Sequence, residues 1–277
     1  MKQQRDFALR ALFQILGAGI ILVSIFPLYF IIINSVKTYP EVMLSFISLP
    51  QVVTFDSFVR AWNAIDVTKT LWNSLFITGV SVLGIGFISS LAAYKMARTK
   101  TWYSVAIYYI VAFSMIVPFH TIMIPLSRLM GQLSLLSTPY SVIFTYLGTS
   151  STFAIFVIHG FVKTVPLGFE DAATVDGCGP FRMFFQIVFP LLRPIMATIA
   201  VLQSMWIWND FLLPLLMLRR QKYMTIPVAM YKLWGDWTAD WPAIFAAILI
   251  SITPVLIFFF MMQKNIVRGI SRGGIKG

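Results

Sequence analysis

Charge is what this chain of 277 residues has least of. Only 11% of its residues are Asp, Glu, Lys or Arg, against 58% hydrophobic, with a mean hydropathy of +0.83. A soluble domain carries about 25% charged residues, so there is too little charge here to cover a water-facing surface of this size. The 25 Phe and eight Trp need an apolar solvent, and a bilayer supplies one. Cysteine is nearly absent: Cys178 stands alone, which excludes an intrachain disulfide. No phosphate-binding G-x-x-x-x-G-K-[ST] loop occurs, because Ile275 follows Gly274 where Lys is required, so the chain is not itself an ATPase. The two histidines, His120 and His159, lie apart without Cys or Glu at metal spacing. Apolar–polar alternation of the β-barrel kind is missing, as are internal repeats.

What is present is a series of long apolar runs. A helix crossing the hydrocarbon core needs about 20 mostly apolar residues. Six runs meet that length: Ala11 to Ile33, Thr70 to Tyr94, about Tyr103 to Pro125, about Tyr140 to Phe161, about Ile195 to Leu218, and Trp241 to Gln263. Spanning segments must satisfy their own backbone groups, so these are helices. The expectation is an all-α polytopic membrane protein with six transmembrane helices in one bundle over residues 1–277. The first run is too long for a signal peptide and no cleavage site closes it, so it reads as a retained helix.

The net charge of +11 raises nucleic acid as a partner. Position argues against it, because the cations sit in short loops between apolar runs and not on one face. The larger share of Lys and Arg, including Lys95, Arg98, Lys163, Arg182, Lys264 and Arg268, falls on one side, which predicts both termini inside. The cluster Arg219, Arg220 and Lys222 opposes that bias. Trp102 and Trp241 suit interfacial anchoring.

One loop, about residues 161–194, is unlike the others. Pro166 opens it, Glu170 and Asp171 form an acidic first helical turn, and Gly177 with Gly179-Pro180 stops the helix. A second apolar stretch, Phe181 to Phe189, leads to Pro190 and Pro194. A helix–turn–helix at the membrane face predicts a docking partner. Carboxylates at the first turn favour the helix dipole and can meet a partner's basic groups, while small Ala172, Ala173 and Gly177 permit close approach.

The same segment resembles the cytoplasmic signature loop of binding-protein-dependent ABC importer permeases, Glu-Ala-Ala, three residues, Gly, nine residues, Ile-x-Leu-Pro. Here Asp171-Ala172-Ala173 precedes Asp176-Gly177, and Ile187-Val188-Phe189-Pro190 follows at the expected distance. Asp171 stands where Glu is usual and Phe189 where Leu is usual; Glu170 lies one position early. Other stretches are similar to the carbohydrate branch, the maltose and multiple-sugar type: Asn73-Ser74-Leu75, Ala93-Tyr94-Lys95-Met96-Ala97-Arg98, Ile124-Pro125-Leu126, Leu135-Leu136-Ser137-Thr138, Trp208-Asn209-Asp210-Phe211, and the ending Gly273-Gly274-Ile275-Lys276-Gly277. The resemblance implies a type I ABC importer permease fold in a bacterial or archaeal cytoplasmic membrane. It implies a second homologous permease, two ATPase subunits that bind the ATP and Mg, an extracytoplasmic solute-binding protein and a carbohydrate substrate. It also implies that Glu170, Asp171, Ala172, Ala173, Asp176 and Gly177 couple to the ATPase.

Asp210 is the carboxylate deepest in an apolar run, about two-thirds along the fifth, and an intramembrane charge is a functional candidate. The rival reading is a proton-coupled secondary carrier that uses it. Aromatic faces suit sugar C–H faces and amides suit hydroxyls, which makes Tyr146, Gln203, Trp206, Asn209 and Asp210 the candidates for a substrate path. Gly86 and Ser90, four apart, predict close helix approach.

Overall fold

The computed structural model describes residues 2–233 and 239–273. Every regular element among them is helical. In chain order these are α1 (Lys2–Ser35), α2 (Tyr39–Leu44), α3 (Asp56–Ala64), α4 (Val67–Arg98), α5 (Trp102–Ser114), α6 (Phe119–Gln132), α7 (Pro139–Val162), α8 (Gly168–Val175), α9 (Pro180–Asn209), α10 (Leu212–Met217), α11 (Ile226–Met230) and α12 (Trp241–Gly273), with short 3₁₀ turns between the last three. Within α1, α4, α7, α9 and α12 lie five stretches long and apolar enough to cross a membrane, the first being Leu12–Ser35 and the last Trp241–Met262. The third apolar run is different. Between α5 and α6 the chain bends by 104°, and a count of six spans is reached only if the bent pair is one. Pro118 explains the break, since proline disfavours the helical region at the residue before it. A helix of 13 residues rises about 20 Å, short of a hydrocarbon core of about 30 Å.

The fifth run also differs from its expected bounds. Its helix begins earlier, at Pro180, and ends at Asn209, with Asp210 as its C-cap in extended conformation. Asp210 therefore sits at a helix end, not inside one. The expected loop of residues 161–194 is correspondingly shorter, because Phe181 to Pro194 belong to the span. A π-helical segment, Met183–Val188, lies where Pro190 and Pro194 withhold N–H groups from the turns before them.

The described residues form two compact units. In the first, residues up to 67 combine with 230–254. Phe30 meets Phe245 edge-on with ring centroids 5.5 Å apart, and Phe46 meets both Trp241 and Phe245. The segment after α1 is stapled by Lys37, which is fully buried. Its Nζ donates to the Ser45 carbonyl at 2.9 Å, to Asn34 Oδ1 at 3.2 Å and to Ser48 Oγ at 3.4 Å. Three acceptors for three N–H groups make that burial tolerable. Burial still pushes the Lys37 pKa below its usual 10.5, a fall the Glu41 carboxylate only partly offsets.

The second unit, residues 68–229 with those after 254, is centred on α7. Half of the most apolar window of α7 is buried, the highest share of any span. Ile77 and Ile85 of α4, Ala154 and Ile158 of α7, and Leu192 and Ile199 of α9 share one apolar core. Gly86 lets α4 approach α9: a Cβ there would stand 2.9 Å from Met196 Cε. On α4, Asn73 donates to the carbonyls of Lys222 and Met224, and Ser74 Oγ accepts from the Ile226 N–H. The chain before α11 is thereby fixed to α4. The Asn73-Ser74 pair is a structural clamp.

In the first unit Arg60 of α3 pairs with Asp240, just ahead of α12, at 2.7 Å. Burial raises the Asp240 pKa, but the hydrogen bond and charge of Arg60 and the Ala243 N–H together hold it below 3.8. The folded value being the lower one, the stabilisation is complete above 3.8 and is lost as pH falls through the folded pKa. Hydrogen exchange at the first turn of α12, corrected for intrinsic rates, should therefore stay flat through neutral pH and accelerate only below 3.8. Both side chains are more than a third exposed, so Arg60→Met should cost under about 1 kcal/mol.

Candidate functional site

Two places in the second unit hold the residues singled out from sequence. The first is the connection from α7 to α9. Its helix α8 ends in a Schellman arrangement: Gly177 N–H donates to Thr174 O at 3.0 Å and Cys178 N–H to Ala173 O at 2.9 Å. Gly177 has φ +73°, in the left-handed region glycine favours, and a Cβ there would meet nothing within 4 Å. Asp171, Ala172, Asp176 and Gly177 are exposed, whereas Ala173 packs inward. Leu167, Phe169 and Val175 expose apolar surface beside them, Val175 to 87%. An exposed short helix that shows apolar groups, small residues and carboxylates together can receive another protein.

Glu170 does something else. Its Oε1 accepts from Arg98 Nε at 2.7 Å and its Oε2 from the Tyr94 hydroxyl at 2.8 Å. Arg98 also donates to the Val165 carbonyl at 2.9 Å. The Arg98 and Glu170 side chains are only 16% and 13% exposed. The end of α4 is thus riveted to the start of α8. Sequence reasoning missed Tyr94 and Arg98 as partners; the only signal was a group of cations, Lys95, Arg98 and Lys100, ending an apolar run and an acid one position out of the Glu-Ala-Ala frame.

The second place is a cavity of about 920 Å³. Tyr146, Trp206, Asn209 and Asp210 all line it, together with Ser114, Met115 and Val117 at the α5–α6 break. Asp210 Oδ2 accepts from the Tyr146 hydroxyl at 2.9 Å. Its Oδ1 accepts from the N–H groups of Leu212 and Leu213 at 3.0 and 3.4 Å, capping α10. Trp206, 58% exposed, packs on Phe153 with centroids 5.3 Å apart. Gln203 is not in the cavity wall: it is fully buried, donating to Ser150 O at 3.4 Å. The chain before α7 is tied in as well, Ser137 with φ +66° giving its N–H to Met217 O. No group of three His, Cys, Asp or Glu able to hold a metal occurs among the described residues.

The family described as the binding-protein-dependent transport system inner membrane component matches residues 83–272, a stretch that contains both places. The chain belongs to this family. The probable starch degradation products transport system permease protein AmyC of Thermoanaerobacterium thermosulfurigenes is 37% identical over 261 residues, 94% of this chain and 95% of that protein. The melibiose/raffinose/stachyose import permease protein MelC of Bacillus subtilis (strain 168) is 32% identical over 278 residues, all of both chains. The crystal structure of a bacterial ABC transporter that imports the acidic polysaccharide alginate aligns with TM-score 0.84 at 22% identity, covering 95% of this chain and 98% of its counterpart, a likeness of fold alone. The resemblance drawn from Asp171 to Pro190 is borne out. As a permease of this family the chain is not catalytic, and ATPase activity resides in a separate subunit. The permease's glycine-rich ending beyond Gly273 lies outside the described residues.

Removing one partner of a mostly buried ion pair costs about 3–5 kcal/mol, because the other charge is left behind. Arg98→Met or Glu170→Gln should each loosen α8 by an amount near the lower end of that range. The double variant should be milder than the two costs added. Hydrogen exchange over residues 163–179 in the four-member cycle measures the coupling; strict additivity would mean that the pair holds nothing.

Proposed function

We propose that this chain is one of two permease subunits forming the translocation path of an ATP-driven, binding-protein-dependent importer of di- or oligosaccharides. The observation that carries the reading is the family match over residues 83–272, which takes in α8 and the cavity at once. The sugar follows from relatives named for starch degradation products and for melibiose, raffinose and stachyose, which align with nearly the whole of this chain. A proton-coupled carrier built on Asp210 is the weaker reading, since that carboxylate caps α10 and holds Tyr146.

In this reading the bent pair α5–α6 is one span, so the permease has the six spans of a type I importer in a single domain. Both termini face inside, in the cytoplasmic membrane of a bacterium or archaeon. The complex comprises a second homologous permease, two ATPase subunits that bind ATP and Mg, and an extracytoplasmic solute-binding protein. The helix α8, through Asp171, Ala172, Ala173, Asp176 and Gly177, docks on the ATPase. Glu170 hands the motion of α8 to α4 through Arg98. Closure of the ATPase pair then turns the bundle outward to accept sugar, hydrolysis resets it, and Tyr146, Trp206, Asn209 and Asp210 form part of the path. Gln203 supports that wall from behind.

A tagged pull-down of the chain from native membranes in mild detergent, with co-purifying proteins identified by mass, tests the assembly. Recovery of a second permease and an ATPase is the expected result. Recovery of the chain alone, from preparations that preserve known complexes, would overturn it. Within the assembly, Gly177→Trp should abolish uptake while membrane insertion persists. The left-handed conformation costs a non-glycine residue about 1–2 kcal/mol, too little to unfold the bundle, and the bulk projects into open space. Normal uptake by this variant would remove α8 from the coupling path.

A further inference from the structure

The cavity wall has a polarity of its own, and it narrows the sugar. Among the described residues no Lys or Arg lines the cavity, and Asp210 is the one carboxylate in its wall. Three of the wall's hydroxyls have their donors turned into the protein. Ser114 Oγ donates to Val111 O at 2.7 Å, Thr149 Oγ1 to Thr145 O at 2.9 Å and Thr152 Oγ1 to Thr149 O at 2.8 Å. Asn209 Nδ2 donates to Met205 O at 2.7 Å, which leaves Oδ1 and one amide hydrogen for a ligand. The Tyr146 hydroxyl is likewise spent on Asp210. Each of these hydroxyls keeps lone pairs, so the wall is rich in acceptors and its remaining donors are neutral, set beside the half-exposed face of Trp206.

We infer that this subunit's wall selects uncharged sugar chains and rejects anionic ones, with Asp210 as the specificity-determining residue. The inference rests on the sugar-importer reading and adds charge class to it. A neutral oligosaccharide brings hydroxyl donors to the acceptors and apolar ring faces to Trp206. A uronate or sulfonate brings only acceptors at its charged group. It meets no cation to neutralise it and a fixed carboxylate that repels it, and a site discriminates by such unpaired and like-charge contacts. Asp210 cannot turn away from the cavity, because the Tyr146 hydroxyl and two backbone N–H groups fix both of its oxygens.

The test uses the complete complex of both permeases and both ATPases in lipid nanodiscs, without the solute-binding protein, so that the cavity and not the receptor does the selecting. Tryptophan fluorescence is titrated with raffinose and maltotriose as neutral probes and trigalacturonate as the anionic one, and the Trp206→Phe complex assigns the signal to the cavity. At least one neutral probe should quench at a concentration about tenfold below trigalacturonate, the scale of a screened like-charge contact. Asp210→Asn, which keeps an acceptor for the α10 cap, should erase most of that gap. Equal quenching by trigalacturonate in the native complex would overturn the inference, as would the absence of quenching by every probe. The native comparison decides even if the variant fails to assemble. ATP-driven uptake of the neutral probes by proteoliposomes with the binding protein restored reports the underlying function separately. Uptake without discrimination defeats only the charge selection, whereas no sugar uptake at all defeats the importer reading.

Discussion

Inside a bilayer every backbone N–H and C=O must find a partner in the protein, and the rest of this structure is arranged around the places where a helix cannot supply one. Two apolar runs are interrupted, at residues 115–118 and at Asp210–Phe211. Irregular backbone at membrane depth is tolerated where it is buried in protein or lines a cavity. Both interruptions border the same cavity. At the second one the Asp210 carboxylate accepts from the first N–H groups of α10, so the charge that makes the residue conspicuous also repairs the break. Chain path and cavity chemistry are set by one side chain.

The connection that carries α8 obeys a different constraint, stiffness. A short helix transmits displacement only if its ends are held. At its C-terminal end Gly177 closes a Schellman turn that needs no side chain. At its start the Arg98–Glu170 pair, with Tyr94 as a second donor, fastens α8 to α4. The two adjacent carboxylates consequently face opposite ways. Glu170 turns into the protein, and Asp171 remains exposed. That division explains why the acid out of the Glu-Ala-Ala frame is present at all: it belongs to the permease's own joint, leaving Asp171 for the surface.

Much of this was legible beforehand, because apolar length and glycine placement are local signals. The runs Ala11 to Ile33, Thr70 to Tyr94, Tyr140 to Phe161 and Trp241 to Gln263 end within four residues of the stretches able to cross a membrane, and the acidic turn and Gly177 delimit α8. The third and fifth runs misled for a shared reason. Hydropathy counts apolar residues and is blind to backbone direction, so Ile116-Val117-Pro118 and Phe211-Leu212-Leu213 read as continuous helix. Pro118 carried the correct signal for the first break. For the second the signal was Asp210 itself, a capping residue type ahead of a short apolar helix. Of the five path candidates, four share the cavity and Gln203 does not, a distinction of helix face that composition cannot resolve.

The pairing of Arg98 with Glu170 was illegible for a deeper reason, since 72 residues separate them. Nothing local marks such a contact; it exists because α4 and the α7–α9 connection end at the same level of the second unit. The same holds for Asn73 and the carbonyls near residue 223, which lie about 150 residues apart in sequence. The strongest of these tertiary polar contacts occur near the two ends of α4, while its middle packs mainly by apolar side chains and by Gly86 against Met196, with one long hydrogen bond from Ser89 Oγ to Ser151 O at 3.4 Å. A helix clamped at both ends and held only weakly between them can move as a rigid rod. Displacement entering at Arg98 would then reach Asn73 and the chain around Lys222 at the cost of little more than the long Ser89–Ser151 hydrogen bond.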